Sequence, residues 1–544
     1  MDGLRGLLLR LDGLPYEAYR RLLGSHTLDQ LSVAFDHVPA DPFVGSARVR
    51  IGIDRSEAGL HSGLVEDPAR RVAVEDFVAR RAATALPEHA GKAEQAPRGA
   101  GNIGLEPPGP CIVERSTCRI TESSVEIRLT VDLPAARRRV RGRQAEELFF
   151  KRLHRFGLAT LLFPARRVEE ARRGADAAED HASLQGALSA RGLVSFLADG
   201  SRPSGSGRGA SESWQSPDSL RVTLDLPNAG NVEGLGIPAG ITVVVGGRGE
   251  GKSTLLRAIA AAVYSHRPGD GLERCATVPE AVVIRSEPGR PIRGVDLSAF
   301  LRDEAEGRRA SSYTCERADG CSSQAASLVE AIEAGARLLI VDEDDADASL
   351  WVRDGRMQRL LGDPRSGPVP LLDRAREIYD RFGVSILIAT SGVGDYLEVA
   401  DTVIEMRGGV PSDRTEAARE LVTRTRSSRL DPGWSPARPP GQRVPALNAS
   451  EDFASWKVGL YGTSGIRVGE EIIGLGAPEH LVEPGQLRAL ARIVRESARR
   501  MEPGKNLPAL LDELEAWLDD GLDRLDPPAA YDLARPRRFE IAAA

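Results

Sequence analysis

No apolar run in this 544-residue chain is long enough to cross a bilayer. Runs such as Ile241–Val245, Leu338–Val341 and Ile386–Ala389 are strand-sized, far below the ~18 residues of a membrane span. The opening residues lack the cationic, apolar and small-residue order of a secretory signal. A cytoplasmic protein with no membrane partner is therefore expected. Cysteine is scarce: Cys111, Cys118, Cys275, Cys315 and Cys321 are scattered and odd in number, with no CxxC or paired histidine spacing. Neither a disulfide framework nor a zinc site is indicated. Lysine is scarcer than the charge suggests, five among 72 basic residues. A GC-rich genome explains an arginine bias as easily as function does, so only the places where charge gathers carry information. No internal repeat is visible.

What is present starts at Ile241. The segment ITVVVGGRGEGKSTLL is a β-branched strand running into Gly246-x4-Gly251-Lys252-Ser253-Thr254 and then an alanine-rich helix. Glycines let backbone N–H groups curl around a β-phosphate, Lys252 reaches the β- and γ-phosphates, and the Ser253 hydroxyl is placed to ligate Mg²⁺ at a helix N-terminus. ATP and Mg²⁺ are the expected cofactors, with Gly246, Gly247, Arg248, Gly249, Glu250, Gly251, Lys252, Ser253 and Thr254 around the nucleotide. Downstream, Arg337 to Glu343 reads as a buried parallel strand ending in two carboxylates, a Walker B strand. Asp342 is placed to hold Mg²⁺ together with Ser253. Glu343 is placed to polarise the attacking water, so Lys252 and Glu343 are the catalytic pair. Hydrolysis, and not binding alone, is expected.

The stretch before Walker B, Ala318-Asp319-Gly320-Cys321-Ser322-Ser323-Gln324, is a small-residue turn opening a helix. It looks like the signature motif of ABC-type ATPases, in which free N–H groups face a γ-phosphate bound to a second copy. Gly320, Ser322, Ser323 and Gln324 join the ATP-binding set on that basis, and a homodimer with nucleotide between P-loop and signature is expected. Glu343 directly after Asp342, with the serine-led helix, argues against a small-molecule kinase.

With these residues in place, the chain resembles the stand-alone predicted ATPases of the ABC class, a mostly bacterial family outside membrane transporters. The likeness runs nearly end to end. It rests on Asp41-Pro42-Phe43 with Ala47 to Arg50, on Ser216 to Leu220 with Gly234 to Pro238, and on Pro268 to Gly271. Further marks are Ile284 to Arg290, the signature segment, Trp351 to Asp354, and Ser391 to Tyr396. By this resemblance Glu287 takes the Q-loop position and binds ATP, and Thr390-Ser391 stand where transporters carry a switch histidine. Three departures are visible. Gly249 and Glu250 replace an aromatic and a histidine, and a carboxylate there repels a triphosphate unless turned outward. Asp319 replaces a serine, which is expected to weaken ATP-driven closure. No histidine follows the 384–389 strand, so turnover is expected to be slow.

The fold class expected is α/β: an ABC-type P-loop core flanked by an α+β N-terminal domain and a small C-terminal domain. Punctuation sets the boundaries at 1–212, with mobile 88–110 and 200–212, then 213–410 for the ATPase, 411–445 for a linker, and 446–544 with a helical hairpin. Two basic features remain. Between Arg137 and Arg173 the net charge is +8, against −7 for the whole chain. Arg137, Arg138, Arg139, Arg141 and Arg143 lead that stretch. In helix 485–500, Arg488, Arg492, Arg495 and Arg499 form one stripe. Such surfaces track a polynucleotide backbone. The acidic helix 507–526 offers the competing use, charge pairing within the domain. The function expected is an ATP-hydrolysing ABC-class homodimer acting on nucleic acid, RNA ahead of DNA. The alternative is a nucleotide-gated protein-binding scaffold with weak ATPase activity.

Overall fold

The computed structural model describes residues 3–89, 101–202, 214–303, 309–361, 367–425, 429–430, 443–445, 456–462, 465–475 and 481–544. Much of the low-complexity 88–110 and 200–212 stretches, and most of the 411–445 linker beyond residue 425, lie outside them. Residues 101–110 are described and include a short strand, Ile103–Gly104. The chain divides into two compact units.

The first unit comprises Met1–Glu179, Val482–Ala489 and Trp517–Arg535. Its antiparallel sheet runs Gly24–Leu28, Leu31–His37, Ala47–Asp54, Ser124–Val131 and Ile103–Gly104, with Cys118–Ile120 also on the Ser124–Val131 strand. Register pairs Val49 with Leu129 and Ile51 with Ile127. Alternation explains the burial. Val33, Val49, Ile51, Ile127 and Leu129 are sealed, because a strand sends every second side chain to the same face. Helix Pro68–His89 contributes Val74, Val78 and Ala82 at four-residue spacing to the same core. The expected helical opening at Leu14 to Leu23 is instead a 3₁₀ segment, Tyr16–Leu22, behind an extended Pro15.

Buried charge ties the C-terminal pieces into this unit. Arg115 sits between the carboxylates of Asp76 and Glu483, and Glu483 also accepts from the amide of Gly109 at 2.8 Å. Arg128 reaches Asp523, and Tyr531 donates to Asp36 at 2.7 Å. Leaving any one of these buried charges unpaired costs about 3–5 kcal/mol.

The second unit holds two sheets. The parallel one runs Ala281–Ile284, Leu338–Asp342, Ser385–Thr390, Ile241–Val245 and Thr402–Arg407, with Val410–Asp413 antiparallel at its edge. All six residues of Ser385–Thr390 are buried, as expected of a strand covered on both faces. The antiparallel layer runs Arg221–Leu226, Gly230–Pro238, Leu193–Ala198 and Cys275–Thr277. The turn joining its first two strands is pinned by Asp180, which accepts from the amides of Asn228 and Ala229. One residue on, burial pushes His181 down to about 4, and its Nε2 lies 3.1 Å from the Ala262 carbonyl. The ring is therefore neutral and donates.

In the C-terminal region, where a helical hairpin is expected, the helices are Pro484–Arg500 and Leu507–Leu518. The second ends at Leu518, short of 526, because Gly521 takes a φ of 105° that a helix cannot accommodate. The α/β class with flanking domains is the architecture observed.

Candidate functional site

Three strand ends meet at one edge of the parallel sheet. The Ile241–Val245 strand delivers the loop 246–251, and its neighbour Ser385–Thr390 delivers residues 390–396. Leu338–Asp342, the next strand, ends in Asp342 and Glu343. The carboxyl edge of a parallel sheet is where ligands bind in open α/β folds.

The loop turns through glycines that no other residue replaces cheaply. Gly249 and Gly251 have φ of 80° and 105°, and a Cβ on Gly246 would lie 2.5 Å from the Met406 carbonyl. Helix Lys252–Ala261 begins immediately afterwards. The Lys252 ammonium donates to the Gly246 and Gly247 carbonyls, both at 2.9 Å, and the residue is buried. Gly247, Arg248 and Gly249 are exposed at the loop tip, and Ser253 and Thr254 are half-buried in the first helical turn. Glu250 is turned to the neighbouring hairpin: its carboxylate accepts from the Gly408 amide and its carbonyl accepts from Gly409 at 3.0 Å. The repulsion expected from this carboxylate is thus reduced by an assigned partner, which the sequence does not reveal because Gly408 lies far along the chain.

Asp342 accepts only from the Asp344 amide, at 3.2 Å, among the described residues. Its second oxygen and the Ser253 hydroxyl have no protein partner there, so hard oxygen donors suited to Mg²⁺ remain. Glu343 is held more firmly. One oxygen, Oε2, accepts from Thr390 Oγ1 at 2.9 Å and from the amides of Ser391 at 2.6 Å and Gly392 at 3.3 Å. The Thr390-Ser391 position therefore addresses Glu343 through neutral donors. The loop bearing them is braced where Tyr396 donates to the Trp351 carbonyl at 2.7 Å, the two rings 4.7 Å apart.

The signature segment opens helix Gly320–Glu333, and Asp319 caps it by accepting from the Ser322 amide at 2.7 Å. Ser322, Ser323 and Gln324 are buried, and their side chains are committed internally. Ser322 Oγ lies 3.2 Å from the Tyr313 hydroxyl, Ser323 Oγ donates to the Gly320 carbonyl, and Gln324 accepts from the Asp347 amide. Glu287 is brought to this cluster, its amide donating to Ser323 Oγ at 2.9 Å. What remains outward at the helix start is Asp319, Gly320 and Cys321. Burial pushes the Cys321 thiol up to about 11, so it stays protonated. Asp347 is a residue that sequence reasoning missed: a Cβ on Gly320 would fall 2.4 Å from its carboxylate and 2.7 Å from Ser286 Oγ.

The family comparisons agree with this geometry. The model of the ABC-class P-loop ATPase domain matches residues 167–436, and that of the N-terminal domain of ATPases of the ABC class matches 1–163. The chain belongs to the ABC-class ATPases. In this ABC-class ATPase, residues 457–544 match the model of the MRB1590 C-terminal domain. A curated relative, the uncharacterized protein MJ1628 of Methanocaldococcus jannaschii, is 27% identical over 184 residues, 31% of this chain. The match spans 41% of that relative's length. Among solved structures, the ADP conformation of MJ1267, an ATP-binding cassette of an ABC transporter, is 13% identical with a TM-score of 0.24, covering 37% of this chain and 94% of that one. CbiO1 of Clostridium perfringens, part of the ABC transporter complex cbiONQ, is 13% identical with a TM-score of 0.25, covering 43% and 94%.

The basic residues of the ABC-class ATPase fare unequally. Arg138 pairs with Asp41 at 2.7 Å, Arg139 donates to the Gly13 carbonyl, and Arg141 donates to Gln144. Arg166, Arg172 and Arg173 pair with glutamates on their own helix. Arg137 and Arg143 are exposed without a partner among the described residues. In the other stripe Arg488 is engaged by the Asp532 carbonyl at 2.7 Å and Glu106 at 3.3 Å, so the line of free guanidiniums is broken at its start. Arg499 pairs with Glu496, Arg492 is half-buried, and Arg495 is exposed. Pairing to the acidic helix occurs through Arg500 and Lys505, both on Glu513. No helix among the described residues is long and apolar enough to cross a membrane.

Proposed function

We propose that this chain binds and hydrolyses ATP as a homodimer, each nucleotide lying between one copy's P-loop and the other's signature helix. The observation that carries this is the convergence of Lys252, Ser253, Asp342 and Glu343 from adjacent strand ends, with Glu343 fixed by three donors. Lys252 binds the β- and γ-phosphates in place of its two loop carbonyls, and Glu343 orients and deprotonates the attacking water. Ser253 and Asp342 would hold Mg²⁺, which supplies charge neutralisation on the phosphate oxygens. The Gly320 and Cys321 amides, rather than the buried side chains of Ser322, Ser323 and Gln324, are the groups offered to a partner's γ-phosphate. The dimer acts in the cytoplasm on nucleic acid, RNA ahead of DNA, through the exposed Arg137 and Arg143.

The second reading is a nucleotide-gated protein scaffold with weak turnover. It is favoured by Asp319 at the signature helix and by the committed state of Arg488, Arg138 and Arg139. Measuring phosphate release by the purified full chain, alone and with RNA or DNA, separates the two. Stimulation by a polynucleotide supports the first, and turnover indifferent to both polymers supports the second.

A further inference from the structure

Asp41-Pro42-Phe43 lies outside the ATPase machinery, and the loop that carries it is built to present an aromatic ring. It joins strands Leu31–His37 and Ala47–Asp54, whose apolar side chains are otherwise sealed. Phe43 and Val44 are the exceptions, 60% and 77% exposed. The loop is ordered by its own bonds: the Phe43 amide donates to Asp41 Oδ1 at 2.9 Å, the Val44 amide to the Asp41 carbonyl at 3.2 Å, and Ser46 Oγ to Asp132 at 2.6 Å. A single exposed apolar side chain needs no explanation, but two adjacent ones held on a fixed turn are a surface.

Beside that surface stands a second unusual element. Strands Ala135–Ala136 and Arg139–Val140 are joined by Arg137 and Arg138, both left-handed with φ of 47° and 62°. A two-residue turn of this kind is the place for Asn-Gly, and two arginines there are strained. The turn is nonetheless fixed, with the Tyr16 amide donating to the Arg138 carbonyl at 2.9 Å and Arg139 Nη1 to the Gly13 carbonyl at 2.8 Å. Its Arg138 side chain meets the aromatic loop. The Arg138 guanidinium lies 5.9 Å from the Phe43 ring centroid while its Nε holds Asp41. The nearby carboxylates are therefore occupied: Asp41 by Arg138, and Asp132 by Ser46 and Asn102. Arg137 is left exposed.

We infer that Phe43, with Arg138 at its ring and the exposed Arg137 next to Arg138 in the same turn, is a stacking platform for an unpaired base of single-stranded RNA. The chemistry selects this partner. An aromatic face with a guanidinium at its edge stacks on any base, and a neighbouring cation neutralises the adjoining phosphate. A duplex hides its base faces, so the platform discriminates strand state and not sequence. This inference rests on the nucleic-acid reading above and adds to it the site and the form of polymer.

Anisotropy titrations of the full chain with a labelled oligouridylate of about 15 nucleotides, and with an RNA duplex of similar length, test it. Phe43→Ala should weaken single-strand binding about tenfold and leave duplex binding unchanged, and Phe43→Tyr should restore it. Arg137→Gly, which relieves the turn, should lower the salt slope by about 0.7 for each phosphate that is no longer neutralised. Phe43→Ala binding the single strand as tightly as the parent chain overturns the platform alone. A parent chain that binds neither polymer overturns the nucleic-acid reading with it. Loss of self-association in Phe43→Ala with unchanged RNA binding overturns the platform and assigns the loop to a second copy.

Discussion

Exchanging Glu343 for Gln removes a charge and leaves the shape of the side chain intact. Oε2 of the native carboxylate collects Thr390 Oγ1, the Ser391 amide and the Gly392 amide. A glutamine carbonyl oxygen can take the same donors, so the loop keeps its place, but each bond changes from charge-assisted to neutral. With hydrogen bonds to charged groups worth about 1.5–3 kcal/mol and neutral ones about 0.5–1.5, the loss over the two stronger bonds is about 2 kcal/mol. That corresponds to a fall in Tm of roughly 3 °C for a unit of this size, at about 2.1 cal/mol/K of unfolding entropy per residue. Turnover responds far more. Removing a positioned general base lowers kcat by about 10²–10⁴, or ~3–5 kcal/mol of barrier. Nucleotide affinity is retained, because Lys252 and the P-loop amides are untouched, and an ATP-bound dimer accumulates. Lys252→Ala gives the opposite pattern, no binding and no turnover. Phosphate release at saturating ATP and Mg²⁺, nucleotide titration and sedimentation give the three readouts. Turnover of Glu343→Gln equal to that of the parent chain refutes the assignment of Glu343 as the base.

Asp319→Ser should strengthen ATP-dependent dimerisation, since serine still caps the helix but no longer sets a carboxylate against an incoming γ-phosphate; sedimentation with ATP and Mg²⁺ showing no gain counts against a signature facing the partner's nucleotide. Charge reversal at Arg137, Arg138 and Arg139 together should weaken polynucleotide binding across sequences and flatten its salt dependence while basal ATPase persists; salt-insensitive binding favours the scaffold. Glu75→Gln probes the first unit's core. Burial raises the Glu75 carboxyl to about 7, so the folded state keeps a proton that the unfolded chain releases above about 4.5. The contribution of this group is present at low pH and is lost as pH rises through that window, by about 3 kcal/mol in full. The glutamine variant, whose carbonyl can still accept from the Ile120 amide, should therefore melt higher than the parent at pH 8 and equally at pH 4, and an equal Tm at pH 8 contradicts the burial argument.

Much of the second unit is legible in the sequence because its strands are buried on both faces. Ile241–Val245, Leu338–Val341 and Ile386–Ala389 read as unbroken apolar runs, and only a covered parallel sheet tolerates them. The Ser124–Val131 strand is legible for the opposite reason, its alternation marking one sealed face. The division of the C-terminal region is not legible. The pairs that draw Glu483, Asp523 and Tyr531 into the first unit join residues hundreds of positions apart. Arginine and aspartate alternate through so much of this chain that composition gives no sign of which pair is buried.

The same limit explains the site. Spacing is enough to bring Lys252, Ser253, Asp342 and Glu343 to one edge of the sheet, because each is fixed to a strand end by a few residues of chain. Spacing does not reveal what each group is bonded to. Glu250 reads as a charge aimed at phosphate, yet its carboxylate belongs to the Gly408 turn, brought near only by the pairing of Ile241–Val245 with Thr402–Arg407. Ser323 and Gln324 read as ligands, yet they knit the signature helix to Glu287 and Asp347. That packing has a mechanical consequence. A helix whose first turn is bonded to the segment after Ala281–Ile284 and to the segment after Leu338–Asp342 cannot shift without disturbing both. The start of helix Gly320–Glu333 and the segment after strand Leu338–Asp342 are coupled through Asp347, whose amide donates to Gln324 and whose carboxylate lies against Gly320. A Cβ added at Gly320 would lie 2.4 Å from the Asp347 carboxylate and 2.7 Å from Ser286 Oγ, so Gly320→Ala displaces these side chains before it alters any group facing a nucleotide.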